Sequence, residues 1–300
     1  MDMKRREFLK FAGAASAALI PGADALASKD GGADFGEMYG VLVDTTVCTG
    51  CRKCEFACDR QNELTGNDLR WFEGLSFSEY RRMNHEQFTV VNQFPAPNAP
   101  EGRAFIKNQC MHCNHPACVS ACIVGALEKT DIGAVIYDAW KCIGCRYCMV
   151  ACPFQVPAYE YEEALKPRVM KCTFCHERLL QGEKPACVGM CPVETLTFGK
   201  RKDLVELAHS KIIRNRDRYV DHVYGEYEAG GTSWMYLTSV DIAVTGLVHM
   251  PYDAFPERTE QIQHGIFKSF LPPVMLYGLL GLIMHSARQS KREDEGKDHE

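Results

Sequence analysis

The sequence predicts an α+β fold built from duplicated units, each with a strand, a cysteine-rich loop and a short helix. All sixteen cysteines of the 300-residue chain fall into four groups of four. The apolar stretch 41–44, which ends in aspartate, precedes the first group, and a similar stretch recurs 94 residues later at 135–138, before the third group. An internal repeat of this kind indicates duplicated supersecondary units.

The third group identifies the chemistry of the loops. From Cys142 to Pro153 the chain reads Cys-x2-Cys-x2-Cys-x3-Cys-Pro, and the first group repeats this cysteine spacing from Cys48. In bacterial ferredoxins three thiolates of such a run bind one iron–sulfur cluster, and the fourth binds a second cluster. The sixteen candidate ligands are Cys48, Cys51, Cys54, Cys58, Cys110, Cys113, Cys118, Cys122, Cys142, Cys145, Cys148, Cys152, Cys172, Cys175, Cys187 and Cys191.

Other uses of cysteine fit the spacing less well. Disulfides are common in exported proteins, but a Cys-x2-Cys-x2-Cys run cannot pair all of its members locally. Structural zinc uses Cys-x2-Cys pairs rather than the longer run that occurs twice. The stretch from Cys172 to His176 matches the haem c signature, but haem attachment there would leave Cys187 and Cys191 without a role.

The N-terminal residues 1–27 are expected to be a signal peptide. A basic segment with adjacent Arg5 and Arg6 precedes an alanine-rich apolar run, and Ala25-Leu26-Ala27 is a candidate cleavage site. The two arginines indicate twin-arginine export; an ordinary secretory signal or a disordered basic tail is the alternative. The twin-arginine pathway exports folded proteins. A protein that acquires its clusters in the cytoplasm needs such a pathway, because it is already folded when it crosses the membrane. We therefore expect a periplasmic protein.

Residues 38–200 are expected to form the four-cluster region. Within it, 59–109 is predicted to be an insert that faces a partner or covers a cluster. Apolar patterns bounded by turn residues predict local structure. The predicted elements are strands at 39–44, 87–94 and 195–199 and a β-hairpin over 125–137.

A C-terminal extension, 201–265, is expected to follow. Apolar residues with helical spacing predict a surface helix over 200–220, and 221–265 reads as irregular. Residues 266–287 are predicted to form a single transmembrane helix, with a buried core helix as the alternative. Basic residues begin the tail 288–300, so the positive-inside rule places that end in the cytoplasm. With export, this predicts an anchor in the cytoplasmic (inner) membrane.

Composition argues against nucleic acid as a partner. The formal net charge is -5 and the isoelectric point is about 6.1, whereas nucleic-acid-binding domains carry a basic face. We also find no nucleophile–base pair, phosphate-binding loop or nickel-ligand pattern. We therefore expect an electron carrier with no catalytic residues.

The cysteine motifs resemble those of the four-cluster iron–sulfur subunits of bacterial respiratory oxidoreductases. Those subunits accompany molybdopterin enzymes and membrane-bound hydrogenases. The resemblance rests on Cys-Met-His-Cys-Asn-His-Pro-Ala-Cys from Cys110 and on Cys-Arg-Tyr-Cys-Met-Val-Ala-Cys-Pro from Cys145. The stretch 224–232 and Gln263-His264 are further similar to the electron-transfer subunit of hydrogenase-2-type nickel–iron complexes.

The resemblance implies two interleaved ferredoxin-like [4Fe–4S] domains followed by the C-terminal transmembrane helix. It implies hydrogenase small and large subunits and an integral membrane quinone-reactive subunit as partners, with electrons passing from H2 to quinone. Two alternatives stay open. One is the same role for a molybdopterin oxidoreductase, and the other is a metal- or disulfide-stapled structural protein of the cell envelope.

The resemblance also implies that the groups pair first with fourth and second with third. Set one is then Cys48, Cys51, Cys54 and Cys191; set two is Cys110, Cys113, Cys118 and Cys152; set three is Cys142, Cys145, Cys148 and Cys122; set four is Cys172, Cys175, Cys187 and Cys58. Because every ligand position is cysteine, we expect four [4Fe–4S] clusters. The chain departs from the full motif at Asp59 and Ile123, where proline is usual, and this affects only the local turn.

Three histidines lie close to these cysteines in the sequence. His112 and His115 lie inside the second loop, where hydrogen bonding near sulfur tunes the properties of a metal site. His176 follows Cys175 directly and is expected to lie at the surface or beside a ligand. None of the three is needed as a ligand.

Overall fold

The computed structural model divides the chain into two units. One unit is 33–257, and the other consists of 1–32 together with 258–300. The residues that the structure describes are 34–96, 99, 102–257, 259–260, 262 and 276–286.

The terminal segments fall largely outside this description. The predicted signal peptide 1–27 and the predicted tail 288–300 are not among the described residues. Of the predicted span 266–287, only 276–286 is described, and it is helical. Within the described ranges, no helix has both the length and the apolar character that crossing a membrane requires.

The unit 33–257 contains short strands and helices in alternation. The strands are β1 (Tyr39–Asp44), β2 (Thr89–Pro95), β3 (Arg103–Gln109), β4 (Leu127–Lys129), β5 (Val135–Tyr137), β6 (Ala158–Tyr159), β7 (Val169–Met170), β8 (Leu196–Lys200) and β9 (Trp234–Leu237). The α-helices are α1 (Lys53–Gln61), α2 (Leu69–Gly74), α3 (Ala117–Ser120), α4 (Tyr147–Ala151), α5 (His176–Leu180), α6 (Ala186–Gly189) and α7 (Arg201–Arg214). Single 3-10 turns occur at Thr45–Val47, Glu228–Gly230 and Ile242–Val244.

A three-stranded sheet with the order β8-β1-β9 forms the centre of the unit. β1 pairs antiparallel with β8, so that Val41 lies opposite Phe198, and parallel with β9, so that Val43 lies opposite Tyr236. Val41 and Leu42 on β1 are both almost completely buried. Since neighbouring residues of a strand point to opposite faces, both faces of this sheet are covered. This explains why β1 reads as a continuous apolar run.

Helix α7 covers one face of the sheet. Leu204, Ala208 and Ile212 follow one another at intervals of four residues and pack against Leu42 and Met235. This spacing places them on one side of a helix. The predicted surface helix is therefore confirmed, although it ends at Arg214.

The remaining elements form two halves that interleave along the sequence. In one half, β1 pairs with β8 and α1 packs against α6, which joins the first and fourth cysteine groups. In the other half, β4 pairs with β5 and α3 packs against α4, which joins the second and third groups. The mixture of strands and helices that the sequence predicted is thus present in the described residues.

The insert contributes the antiparallel hairpin β2–β3, which lies against α1. The buried carboxylate of Glu55 on α1 accepts hydrogen bonds from the Val91 N–H at 2.7 Å and from the Arg81 guanidinium at 2.6 Å. The guanidinium of Arg52, next to the first cysteine loop, donates to the carbonyls of Leu75 and Ser76. The Glu55 contacts fix the hairpin beside the first cysteine group, and the Arg52 contacts hold the segment 75–76 next to the same loop.

Local predictions hold best where a strand has a clear apolar pattern. The strand at 39–44 and the hairpin over 125–137 are confirmed, and the strands predicted at 87–94 and 195–199 are present with shifted ends. Strand β3 was not predicted. The prediction that 221–265 is irregular is wrong at Trp234–Leu237, which form the completely buried strand β9. Four consecutive buried residues show no alternation, and their pairing partner, β1, lies far away in the sequence.

Asp44 fixes the end of β1 immediately before the first cysteine loop. Its carboxylate accepts hydrogen bonds from the Thr46 hydroxyl at 2.6 Å, the Lys211 ammonium at 2.9 Å and the Tyr219 hydroxyl at 2.8 Å. Burial by itself would raise the pKa of Asp44, but these hydrogen bonds outweigh burial and hold the pKa below its ordinary value. The ionised carboxylate therefore stabilises the fold.

We expect Asp44→Asn to lower the free energy of unfolding by about 1–3 kcal/mol at neutral pH, because Lys211 loses its anionic partner. For a domain of this size each kcal/mol corresponds to about 2–4 °C in the unfolding temperature. Because the folded pKa is depressed, the stabilisation is present above the unfolded pKa of about 4 and is lost as pH falls through the folded value. Thermal unfolding of the anaerobically purified protein measures the effect.

Asp131→Asn, in an exposed loop, is the control and should leave the unfolding temperature unchanged. Equal unfolding temperatures for wild type and Asp44→Asn at neutral pH would contradict the assigned role of Asp44.

Candidate iron–sulfur cluster sites

A left-handed bend stands at the same position of all four cysteine loops. The residue before the second cysteine of each group has a positive φ: 69° at Gly50, 47° at His112, 70° at Gly144 and 58° at Phe174. Glycine adopts this conformation readily, whereas other residues lose about 1–2 kcal/mol there. The backbone of the motif is therefore shared even where glycine is not.

The bend directs backbone donors to sulfur. The N–H groups of Gly144 and Phe174 each lie 3.4 Å from the sulfur of the cysteine two residues earlier, Cys142 and Cys172 respectively. Hydrogen bonds to the charged form of a ligand favour that form. The loops thus offer donors that suit sulfur in its thiolate state.

The two loops without glycine at the bend support each other. The rings of His112 and Phe174 stack with centroids 4.9 Å apart and an interplanar angle of 26°. Both side chains are almost completely buried. This stack joins the second and fourth loops.

The two later cysteines of each group lie in or just after a short helix. Cys54 and Cys58 lie one turn apart on α1. In the other groups the last cysteine likewise comes four residues after one at the start of a helix. These pairs are Cys118 with Cys122, Cys148 with Cys152, and Cys187 with Cys191.

A cavity brings together the four cysteines of set one. Its lining includes Cys48, Cys51, Cys54 and Cys191. The buried hydroxyl of Thr195 also lies at its wall, beside the Cys48 thiol. Four thiols and a neighbouring hydroxyl donor fit an anionic sulfur-ligated group.

The structure brings the cysteines of the other three sets together as well. In each set, one thiol interacts electrostatically with the three others. The groupings are Cys113 with Cys110, Cys118 and Cys152; Cys148 with Cys122, Cys142 and Cys145; and Cys58 with Cys172, Cys175 and Cys187.

The cysteines are not gathered around a point. In the part of the chain that the structure describes, no three cysteine, histidine, aspartate or glutamate side chains converge closely enough to hold one metal ion.

The protonation of the thiols bears on what they can do. Burial raises the pKa of Cys48 to about 11 and that of Cys172 to about 12, and raises the pKa of Cys54 well above its usual range. Without metal these thiols are protonated at neutral pH, and thiols of this kind are poor nucleophiles. Iron must therefore displace their protons on binding.

The histidines take positions around the loops. Nδ1 of the buried His112 accepts a hydrogen bond from the Val135 N–H at 2.8 Å. Burial and the nearby charges of Lys171 and Lys129 hold the pKa of His112 well below its usual range, so its ring is neutral. His115 packs edge-on against Phe35 at 4.8 Å.

Two buried lysines that the sequence did not predict lie among the cysteines. Lys107 on β3 and Lys171 before the fourth group are only 3% and 5% exposed. The Lys171 ammonium donates to the carbonyls of Val135 and Cys172. Lysine is rarely buried, and no local pattern distinguishes these two from surface lysines.

Comparison with known proteins agrees with the geometry of the loops. A family model described as a 4Fe-4S dicluster domain matches residues 103–201. This range contains the second, third and fourth cysteine groups.

Several relatives are similar over larger parts of the chain. A protein of Nitratidesulfovibrio vulgaris, whose name states no function, is 48% identical over 248 residues, covering 82% of this chain and 67% of the relative. The hydrogenase-2 operon protein HybA of Escherichia coli O157:H7 is 32% identical, covering 99% of this chain and 100% of the relative. The formate dehydrogenase-O iron-sulfur subunit of Escherichia coli K12 is 33% identical over 210 residues, covering 68% of both chains.

Gly50 provides a test of the bend in the first loop. A Cβ atom at Gly50 would lie 2.5 Å from the ring of Phe105, whereas one at Gly66, which has a similar φ of 71°, would meet nothing within 4 Å. Both alanine substitutions bear the cost of the left-handed conformation, but only Gly50→Ala adds a clash, worth about 1–3 kcal/mol. We expect Gly50→Ala to lower the unfolding temperature further and to reduce bound iron and acid-labile sulfide.

Gly66→Ala is the matched control and should retain its full iron content. The interpretation of Gly50 is wrong when the two variants bind the same amount of iron and unfold at the same temperature.

Proposed function

Because this chain belongs to the ferredoxin-type iron–sulfur subunits of respiratory oxidoreductases, the group that includes HybA, we propose that it carries electrons between a catalytic subunit and the membrane by means of four [4Fe–4S] clusters. It is an electron-transfer subunit and not the catalytic subunit of its complex. The observation that carries the proposal is the arrangement of all sixteen cysteines in four sets of four.

The proposal assigns one cluster to each set. The thiolates of sets one to four hold the clusters, and backbone N–H groups such as those of Gly144 and Phe174 donate to their sulfur atoms. When bound, such a cluster accepts and releases one electron at a time. The chain supplies the thiolate ligands, buries the clusters and sets the spacing between them.

The sets follow one another in a single series. One thiol of each set interacts electrostatically with a thiol of the next set. The linking pairs are Cys54 with Cys187, Cys172 with Cys110, and Cys118 with Cys148. The resulting order is set one, set four, set two, set three. Such closely spaced sites suit electron transfer, which weakens steeply with distance.

The two ends of the series present different surfaces. At the set-three end Cys145 is exposed, and Ile143, Tyr147 and Val150 around it are 62%, 57% and 82% exposed. Exposed apolar surface of this kind marks interaction sites. We place the integral membrane quinone-reactive subunit at this end. At the set-one end, a polar cleft beside Cys48, lined in part by Arg218, suits the catalytic side.

We infer that the catalytic partner is a nickel–iron hydrogenase with small and large subunits. The relative named for the hydrogenase-2 operon matches over its whole length. Relatives named as formate dehydrogenase iron–sulfur subunits support the alternative, the same carrier role in a molybdopterin oxidoreductase. The twin-arginine signal predicted at 1–27 and the apolar segment 266–287 support a periplasmic subunit anchored in the inner membrane.

Neighbouring cysteines of one group provide a test of the sets. Cys118 and Cys122 lie four residues apart, but we assign them to sets two and three. We expect Cys118→Ser and Cys122→Ser each to remove or convert a different cluster, with a loss of up to about a quarter of the iron. Redox titration of the complex, followed by electron paramagnetic resonance, distinguishes the clusters.

Double variants sharpen this test. Cys122→Ser with Cys148→Ser should affect no more clusters than Cys122→Ser alone, since both ligands belong to set three. Cys118→Ser with Cys122→Ser should affect two clusters. The reverse pattern would show that the sets are assigned incorrectly.

The metals of the purified complex test the choice of partner. We expect nickel together with excess iron in the complex that co-purifies with this chain from detergent-solubilised membranes under anaerobic conditions. H2-dependent quinone reduction is then the confirming activity. Molybdenum or tungsten without nickel would contradict the hydrogenase proposal and support the molybdopterin alternative. Protein without iron would contradict the carrier function itself.

A further inference from the structure

Lys107 is held in the interior beside the first and fourth cysteine groups. It lies on β3, lines the cavity formed by set one, and is 3% exposed. Its ammonium donates to the Gln109 side-chain oxygen at 2.9 Å and lies 4.4 Å from the centroid of the Trp234 ring.

A hydrogen-bond network fixes this side chain. The Gln109 amide also donates to the Tyr236 hydroxyl at 2.6 Å, and that hydroxyl donates to the Lys107 carbonyl at 2.8 Å. Gln109, Trp234 and Tyr236 are themselves buried. The position of the ammonium is therefore set by the fold and not by solvent.

The charge of Lys107 has no carboxylate partner among the described residues. The groups that interact with it most strongly are the thiols of Cys187, Cys54 and Cys172 and the hydroxyl of Tyr236. These thiols are neutral while they are protonated, and they become anions when they bind iron. A buried cation is costly without an anion, and here the anions come from sets one and four.

We propose that Lys107 sets the reduction potentials of the two clusters held by sets one and four, acting as a fixed positive charge between them. The inference rests on the proposed function, since it assumes that these sets hold clusters. Reduction adds one electron and no proton to a cluster that is already anionic with its four thiolates. A nearby cation stabilises that added charge and so raises both potentials.

The test uses the intact complex and compares Lys107→Met with Lys107→Arg. Lys107→Met keeps the length of the side chain and removes the charge. At a fixed ambient potential, we expect the ratio of reduced to oxidised cluster at sets one and four to fall about tenfold. For a one-electron couple this corresponds to a reduction potential lower by about 59 mV. Lys107→Arg keeps the charge and should restore the wild-type potentials. Cysteine variants of sets one and four identify the signals.

Gln109→Glu tests the same charge without removing the lysine. It places a carboxylate beside the Lys107 ammonium. In the wild-type protein the Gln109 amide oxygen lies 2.9 Å from this ammonium. The local charge is then neutralised, and both potentials should fall as in Lys107→Met. This variant decides the question when Lys107→Met assembles poorly.

Lys129→Met is the positional control. The Lys129 ammonium donates to the carbonyls of His112 and Gly133 and interacts electrostatically with Cys113 and Cys110 of set two. Its loss should leave the potentials at sets one and four unchanged.

Two results would overturn the inference. One is full cluster content with unchanged potentials in both Lys107→Met and Gln109→Glu. The other is an equal shift at sets one and four in Lys129→Met. A wild-type complex without clusters at these sets would instead overturn the proposed function, and iron analysis detects that before any variant is made.

Discussion

The structure depends on bringing together cysteines that are distant in the sequence. Cys48 and Cys191 line one cavity, although most of the unit 33–257 separates them along the chain. Closing so long a loop has an entropic cost, and the pairing of β1 with β8 and the packing of α1 on α6 help to offset it. Because metal binding at such a site contributes directly to folding, cluster binding and the native fold stabilise each other.

The same constraint explains which parts of the fold the sequence revealed. Strand β1 was predicted because it directly precedes the first cysteine loop. The β4–β5 hairpin was predicted because its two strands are neighbours in the sequence and precede the third loop. Strands β3 and β9 were not predicted, and the reason is clearest for β9. β9 consists of four fully buried residues and pairs with β1 from far away in the sequence, so its conformation is decided by tertiary contacts and not by local preference.

The site divides in a similar way. Cysteine spacing predicted the chemistry of the loops, since a Cys-x2-Cys-x2-Cys-x3-Cys run has few structural uses other than cluster binding. Spacing carries no information about Lys107, because its role depends on burial between two cysteine groups and on contacts with Gln109 and Trp234. Export through 1–27 and membrane anchoring through 266–287 stay predictions from sequence.

The stack of His112 on Phe174 has a consequence for how this chain can vary. The first and third loops carry glycine at the bend, so each can adopt its shape independently. The second and fourth loops rely on each other's rings to hold a strained backbone. Because the second and fourth loops belong to different halves of the unit, the stack ties the two halves together, and an engineered change at one bend has to be matched at the other.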